Sequence, residues 1–458
     1  MGARFFPDLL ASKNGRLAAF FLLYMTEGIP LGFTATAIGT QMRRQGVSPE
    51  MIGAFVGSLY LPWAFKWIAG PFVDTFASDR FGRRRLWILL MQLGMVATLC
   101  VAYPVNFVTN LSLFTIIIAV HNAFAATMDV AIDSLACNVL PESERGVANG
   151  FMFGGASVGQ TVGGSMVLFL TSIMPFQATY FFVMGVIMLV TVFIVLPLQE
   201  KSEPRPAVPG SKLSAVGFQL WRFAVDAFRA FTGTRAAFVG LIAALLPLGA
   251  YALSLSLQST LAVELGLNDN QVATLQLAST LIFAVTCIAG GWLSDRFGRR
   301  TTLALFGGLT VVPTLYLAWS LQSHHWIHSI PANAADRPTV PATLVTAFWI
   351  ASIAYMVFQG LYYGIRTALF MDITTPAVAA TQFTAYMAMS NLCISYTSTW
   401  QGFAITKYGY PITLVLDSAA GFLAIALLPF MNPVKRTAVT EPFAAPRPGD
   451  AIPEGMGP

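Results

Sequence analysis

Among the ionisable side chains inside apolar runs long enough to cross a membrane are Glu27, Lys66, Asp129 and Asp133. At a helix centre each costs about 2.5–3.5 kcal/mol to insert, so such a group is kept where it pairs, exchanges a proton or binds an ion. Glu27 sits near the middle of its run and is followed by Gly28, Pro30 and Gly32, which weaken helical hydrogen bonding and can open the backbone toward a cavity. A carboxyl in that place can exchange a proton; it also suits a structural bond to a neighbouring helix. Between Lys66 and Asp74 lies about 12 Å of helix rise, which is more than a lysine side chain reaches by snorkelling. Lys66 is therefore expected to pair with a carboxylate across a cavity or to bind an anion. Asp129 and Asp133 share one helical face, one turn apart, and carboxylates this close favour holding a single proton between them. Glu27, Asp129 and Asp133 form the expected proton-exchanging set, although Asp133 is also near enough to a helix end to cap or pair there.

A second group of polar side chains lies in the same kind of run. Tyr24, Gln258, Gln359, Tyr362, Tyr363 and Asn391 are expected to line a cavity with Lys66, and their aromatic and amide groups suit a ligand with rings or peptide-like bonds. His121 joins this set, though a single histidine there more often packs than relays protons. His324, His325 and His328 fall in one connecting loop without further ligand residues, so no metal site is expected. Cys100, Cys137, Cys287 and Cys393 have neither metal nor redox spacing, and no disulfide is expected. Gly154-Gly155 and Gly163-Gly164 lie within a helix, where they allow close packing, and form no nucleotide loop. No Ser/His/Asp set is suggested. The chain is expected to be no enzyme and to need no cofactor.

The elements that must position these residues follow from composition. Of 458 residues, 56% are hydrophobic and 10% charged, against roughly 25% charged in soluble proteins; mean hydropathy is +0.66. An all-α membrane protein is implied, since no short alternating barrel segments occur. Windows of about 20 apolar residues predict twelve transmembrane helices. They fall at about 17–40, 51–73, 86–106, 112–136, 147–172, 177–198, 236–262, 271–293, 302–321, 342–365, 381–403 and 410–431. This arranges the chain as a six-helix bundle over 1–198, a linker over 199–235, a second bundle over 236–431 and a disordered tail over 432–458. Within the linker, Lys212, Arg222 and Arg229 alternate with Leu220, Trp221, Phe223 and Phe228, which predicts an amphipathic helix on the membrane surface. With both ends inside, 21 of 26 Lys and Arg fall on the inner side and 4 in outer loops, so both termini are expected to be cytoplasmic. The net charge of +5 comes largely from these loops and does not suggest nucleic acid. The N-terminus has no small-residue cleavage site after a short apolar core, and no signal peptide is expected.

The phrase SDRFGRR occurs twice, beginning at Ser78 and at Ser294, each time after the second helix of its half. The second copy reads Gly291-Trp-Leu-Ser-Asp295-Arg296-Phe-Gly298-Arg299-Arg300 and resembles the signature loop of the major facilitator superfamily. The resemblance implies two pseudo-symmetric bundles. It also implies gating loops at Asp74, Asp79, Arg80, Gly82 and Arg83 and at Asp295, Arg296, Gly298 and Arg299, which latch the bundles in one state and release them in the other. In the first copy, Gly70-Pro-Phe-Val-Asp74 is separated from Asp79-Arg80-Phe-Gly82, so either aspartate could be the latch. Matching the fourth helix to the tenth places Asp133 near Arg366, an expected contact between bundles.

The run LPWAFKWIAGPFVDTFASDRFGRRR, with Asp129-Val-Ala-Ile-Asp133 and Glu27-Gly-Ile-Pro-Leu-Gly-Phe33, is similar to the branch containing AmpG-type muropeptide permeases. The twelve-span relatives it resembles more are RhtX/FptX-type siderophore importers. These resemblances imply a monomeric, proton-coupled importer of a medium-sized organic solute in the bacterial inner membrane, with a siderophore as the first expected cargo. A muropeptide permease, a drug exporter, and a non-transporting receptor or scaffold are the alternatives.

Overall fold

The computed structural model describes residues 8–76, 82–200, 211–331, 334, 337–374 and 379–432. Asp79 and Arg80 of the first signature loop, residues 201–210 of the linker and the tail after Asn432 lie outside them. Ten helices among the described residues are long and apolar enough to cross a membrane: α1 (Lys13–Arg44), α2 (Pro49–Thr75), α3 (Arg84–Ala102), α4 (Leu111–Val139), α5 (Ser143–Leu170), α6 (Ala178–Val195), α8 (Asp269–Phe297), α9 (Arg299–Ser323), α10 (Ala342–Asp372) and α12 (Tyr410–Phe430). Two further passages are consistent with the expected twelve, although neither has the length and apolarity of the other ten. One is α7, built from Arg235–Ala244 and Ser256–Glu264; the other is α11, Ala379–Tyr408, whose interior polar residues lower its hydropathy. Ile173, Val285, Ile288 and Trp319 are each more than 60% exposed, an outer surface that suits hydrocarbon. Helices meet the matching demand that backbone groups be satisfied internally there.

The halves are six-helix bundles joined by a linker helix at Lys212–Gly233. Its Leu213, Phe218, Trp221 and Phe228 are exposed, while Phe223 stacks on Trp67 of α2 with ring centroids 5.0 Å apart. Inside the first bundle α1 runs against α5 at backbone contact, with no room for a Cβ at Gly28 or Gly159. Gly28 and Gly32 do not open α1 toward a cavity, as their spacing suggests; they face Ala156 and Gln160 and serve close packing.

The seventh helix, expected to be continuous, is broken. Pro247 removes a donor and Gly249 takes φ +76°, a region open to glycine. The backbone groups freed by the break find partners on three other helices. Asp417 of α12 accepts the Tyr251 and Ala252 N–H at 2.8 and 3.0 Å. Thr310 of α9 accepts the Ala250 N–H at 2.9 Å, and the Tyr355 hydroxyl of α10 donates to the Ala250 carbonyl at 2.6 Å.

The two bundles meet on the face opposite the linker helix. One buried apolar cluster runs from the first bundle into the residues Ala250–Leu275, Val311–Leu321 and Leu344–Met356 of the second. On the linker side the second bundle has a separate cluster that includes Leu248, Ile365 and Tyr386. At the seam α2 crosses α11 closely, and the Ser395 hydroxyl donates to the Gly57 carbonyl at 2.7 Å.

Candidate functional site

Within the first bundle, α1, α2 and α4 bring four of the ionisable residues together. Helix α2 breaks its α-helical pattern at Phe65 and turns through Lys66–Ile68 as a 3-10 turn, which presents Lys66 to α4. The Lys66 ammonium pairs with Asp129, whose side chain is 3% exposed. The partner thus comes from the same bundle, not from across the seam. One turn along α4, Asp133 accepts a hydrogen bond from the Tyr24 hydroxyl of α1. Glu27, one helical turn from Tyr24, directs a buried Oε2 that has no hydrogen-bond partner. Its electrostatic neighbours are Asp129, Lys66 and Asp133. Three carboxylates therefore surround one ammonium.

His121 lies deeper on α4 and is fully buried. Its Nδ1 is 3.1 Å from the Met95 carbonyl and 3.0 Å from the Thr98 hydroxyl of α3, a contact between helices within the bundle and apart from the carboxylate group.

In the second bundle the break in α7 carries Tyr251, and its hydroxyl accepts a hydrogen bond from Arg366 Nη1 of α10 at 2.7 Å. The guanidinium also lies over the Tyr363 ring, 5.1 Å from its centroid. Tyr362 is buried beside them, in electrostatic contact with Tyr251 and Arg366. Tyr363 is 40% exposed and stands within electrostatic reach of Tyr60 on α2, at the seam between bundles. Asn391 of α11 reaches the Trp63 carbonyl of α2 at 3.5 Å. Gln359 is half-buried, and Gln258 is buried with an unpartnered Nε2. Asp133 and Arg366 are not bonded to each other here; each is held within its own bundle, by Tyr24 and by Tyr251.

The signature loops also bond within their own halves. Gly82 and Gly298 take φ +83° and +86°, so both glycines of the repeated phrase are required by backbone geometry. Arg299 pairs with Asp372 of α10 at 2.7 Å and lies 3.6 Å from Asp295, while Arg296 covers the Trp292 ring. Asp74 is exposed and Arg83 half-buried. Among the described residues, no ion pair on the linker face joins the two bundles.

On the opposite face the bundles are locked by charges that the sequence marks only as loop and helix-end residues. The Arg43–Glu264 pair, at 2.7 Å, has side chains 1% and 0% exposed. Glu264 further accepts from the Ser329 hydroxyl at 2.9 Å, the Ile330 N–H at 3.0 Å and the Tyr410 hydroxyl at 2.5 Å. Nearby, Asp269 pairs with Arg44 and accepts from Gln41 and Thr171, each at 2.7 Å. Both acids come from the second bundle, and Arg43, Arg44, Gln41 and Thr171 from the first. The one signal in the sequence is an acid, Glu264, at the last turn of an apolar run.

A lipid-facing exterior, two six-helix halves locked on one face and buried ionic groups on both sides of the seam define a secondary membrane transporter. The chain belongs to the Major Facilitator Superfamily, whose profile matches residues 17–330 and 239–451. It is similar to the anhydromuropeptide permease of Escherichia coli (strain K12), 24% identical over 427 residues that cover 91% of this chain and 79% of the permease. An uncharacterized protein of Haemophilus influenzae is 22% identical over 385 residues, 84% of this chain and 87% of the relative. Among solved structures, the fold is shared with the nucleoside transporter NupG, at a TM-score of 0.66 and 13% identity over 91% of this chain and 100% of that one. A D-xylose-proton symporter matches with a TM-score of 0.63 and 13% identity over 92% of this chain and 98% of the other.

Proposed function

We propose that this protein is a proton-coupled importer of a sugar-linked peptide of the anhydromuropeptide class, in the bacterial inner membrane with both termini cytoplasmic. The observation that carries the coupling is the group of three carboxylates around Lys66. One ammonium does not balance Asp129, Asp133 and Glu27, so the group takes up positive charge, and a proton is the cation that an enclosed carboxyl such as Glu27 accepts. The similarity to the E. coli anhydromuropeptide permease over most of both chains supports the cargo. The aromatic and amide side chains Tyr363 and Asn391 at the seam, with Tyr362, Gln258 and Gln359 of the second bundle, suit sugar rings and peptide bonds. With the charge lock assigned to the periplasmic face, the structure corresponds to an inward-facing state in which the signature loops are released. A siderophore is the competing cargo, and the same assay separates the two.

In proteoliposomes carrying an inward proton gradient, the full-length protein should accumulate a radiolabelled anhydromuropeptide against its concentration gradient. Glu27→Gln should abolish accumulation while keeping exchange of internal for external cargo, because exchange needs no net proton movement. Accumulation that survives Glu27→Gln removes Glu27 from coupling. A protein that moves a ferric siderophore but no anhydromuropeptide overturns the cargo.

A further inference from the structure

We infer that Arg366 is the receptor for a carboxylate of the cargo, held beside the break in α7 by the tyrosines around it. The inference rests on the proposed importer reading for the cargo's identity but on its own observations for the site. Arg366 is 7% exposed. Among the described residues, no carboxylate lies within salt-bridge distance of its guanidinium. Its one hydrogen bond is to the neutral Tyr251 hydroxyl, its ring contact is to Tyr363, and its Nε is buried with no partner at all. The groups that act on it electrostatically are Tyr251, Tyr363, Tyr362 and Cys393, none an acid.

A buried cation without an anion is strongly disfavoured, and in folded proteins such groups are paired. The neighbouring buried acid, Asp417, is already occupied by the Tyr251 and Ala252 N–H groups and by Gln401 Nε2 at 2.7 Å. Asp417 therefore fixes the broken segment that carries Tyr251, and it does not neutralise the arginine. The missing anion is supplied from outside the chain. A guanidinium offers a planar fork that matches a carboxylate in two-point contact, and Nε is one prong of that fork. Tyr251, which accepts from Nη1, and the buried Tyr362 flank the position and complete a set of hydroxyl donors. Tyr363 stands between Arg366 and the first bundle. The arrangement selects a peptide-like solute with a free carboxylate over its amide or ester.

The test compares an N-acetylated dipeptide bearing a free carboxylate with its carboxamide. Each is assayed for thermal stabilisation of the purified full-length protein and for competition against anhydromuropeptide uptake. Wild-type protein should prefer the acid by at least tenfold. Arg366→Met should reduce that preference below twofold. Arg366→Lys, which keeps the charge but loses the fork, should fall between. The ligand-free Arg366→Met protein should stay folded and melt close to wild type, since no acid loses its partner and only the Tyr251 hydroxyl loses a donor. The inference is overturned by a wild type that gains nothing from the acid over the amide. It is equally overturned by an Arg366→Met variant that keeps the preference. Carboxylate preference without anhydromuropeptide uptake would sink the cargo reading and leave Arg366; uptake without the preference would do the reverse.

Discussion

Two ionic sites, one in each bundle, hold opposite imbalances of charge. In the first, Lys66 faces Asp129, Asp133 and Glu27, an excess of acid. In the second, Arg366 faces only tyrosines and a cysteine, an excess of base at that position, while the buried Asp417 is held apart from it by neutral donors. Pseudo-symmetric halves need not divide chemistry evenly, and here the division is informative. On the proposed reading, surplus acid is where a proton is taken up, and surplus base is where an anion is. A carrier that moves a proton and an anionic solute together gains from keeping them on different sides of the same seam, where each neutralises a different half.

The sharpest break of this comparison is to delete each cation in turn. Lys66→Met strands Asp129, whose side chain is 3% exposed, and should cost about 3–5 kcal/mol of stability. Arg366→Met strands no charge and takes one donor from the Tyr251 hydroxyl, so it should cost no more than about 1.5 kcal/mol. Thermal unfolding in detergent reads both, and equal losses would erase the contrast. Removing both charges in Lys66→Met with Asp129→Asn should recover most of the first loss, because replacing a whole buried pair is close to neutral. A smaller effect is expected at the edge of the acid group. Tyr24→Phe takes the donor from Asp133 and should cost about 1.5 kcal/mol, the low end for a bond to a charged group, since Asp133 is half-buried. A larger loss than at Lys66 would move the centre of the group from Asp129 to Asp133.

Much of this arrangement is legible in the amino-acid sequence. Charges stand out in apolar runs because the bilayer penalises them, so position alone marks Glu27, Lys66, Asp129 and Asp133; Asp417, inside the run 410–431, carries the same mark and is absent from the expected site. The convergence of Glu27, Asp129 and Asp133 on one ammonium is not legible in that way. Whether Lys66 meets Asp129 or an acid across the seam depends on how α2 is rotated at its break near Phe65, which tertiary packing decides. The break in α7 is hidden because 236–262 reads as one apolar run; Pro247 and Gly249 are its only marks. For Arg366, the matched position in the other half suggests Asp133 as the neighbour. The tyrosine carried by the broken helix meets it instead. The charge lock escapes the sequence for a different reason. Arg43, Arg44, Glu264 and Asp269 lie at helix ends, where charge is ordinary, and only three-dimensional pairing distinguishes a lock from a boundary.

That lock inverts the interior. Acids come from the second bundle and bases from the first, so the halves are complementary where they touch and unbalanced where they part. The two acids differ in burial, and the difference predicts which one sets the barrier and which one adjusts it. Glu264 is fully enclosed with four partners. Asp269 and Arg44 keep side chains 18% and 27% exposed, in the range where an ion pair contributes about 0.2–1 kcal/mol. Asp269→Asn should therefore leave the fold intact and shift the balance toward the state open on this face by about 1.4- to fivefold. Thr40 is fully buried behind the lock. A Thr40→Cys variant, with the four native cysteines replaced, should be alkylated faster by that factor when Asp269→Asn is added. An unchanged rate would mean that Glu264 alone holds the face shut. A rate raised a hundredfold would mean that the partly exposed pair, not the buried one, carries the closure, and that burial is a poor guide to which contact opens first.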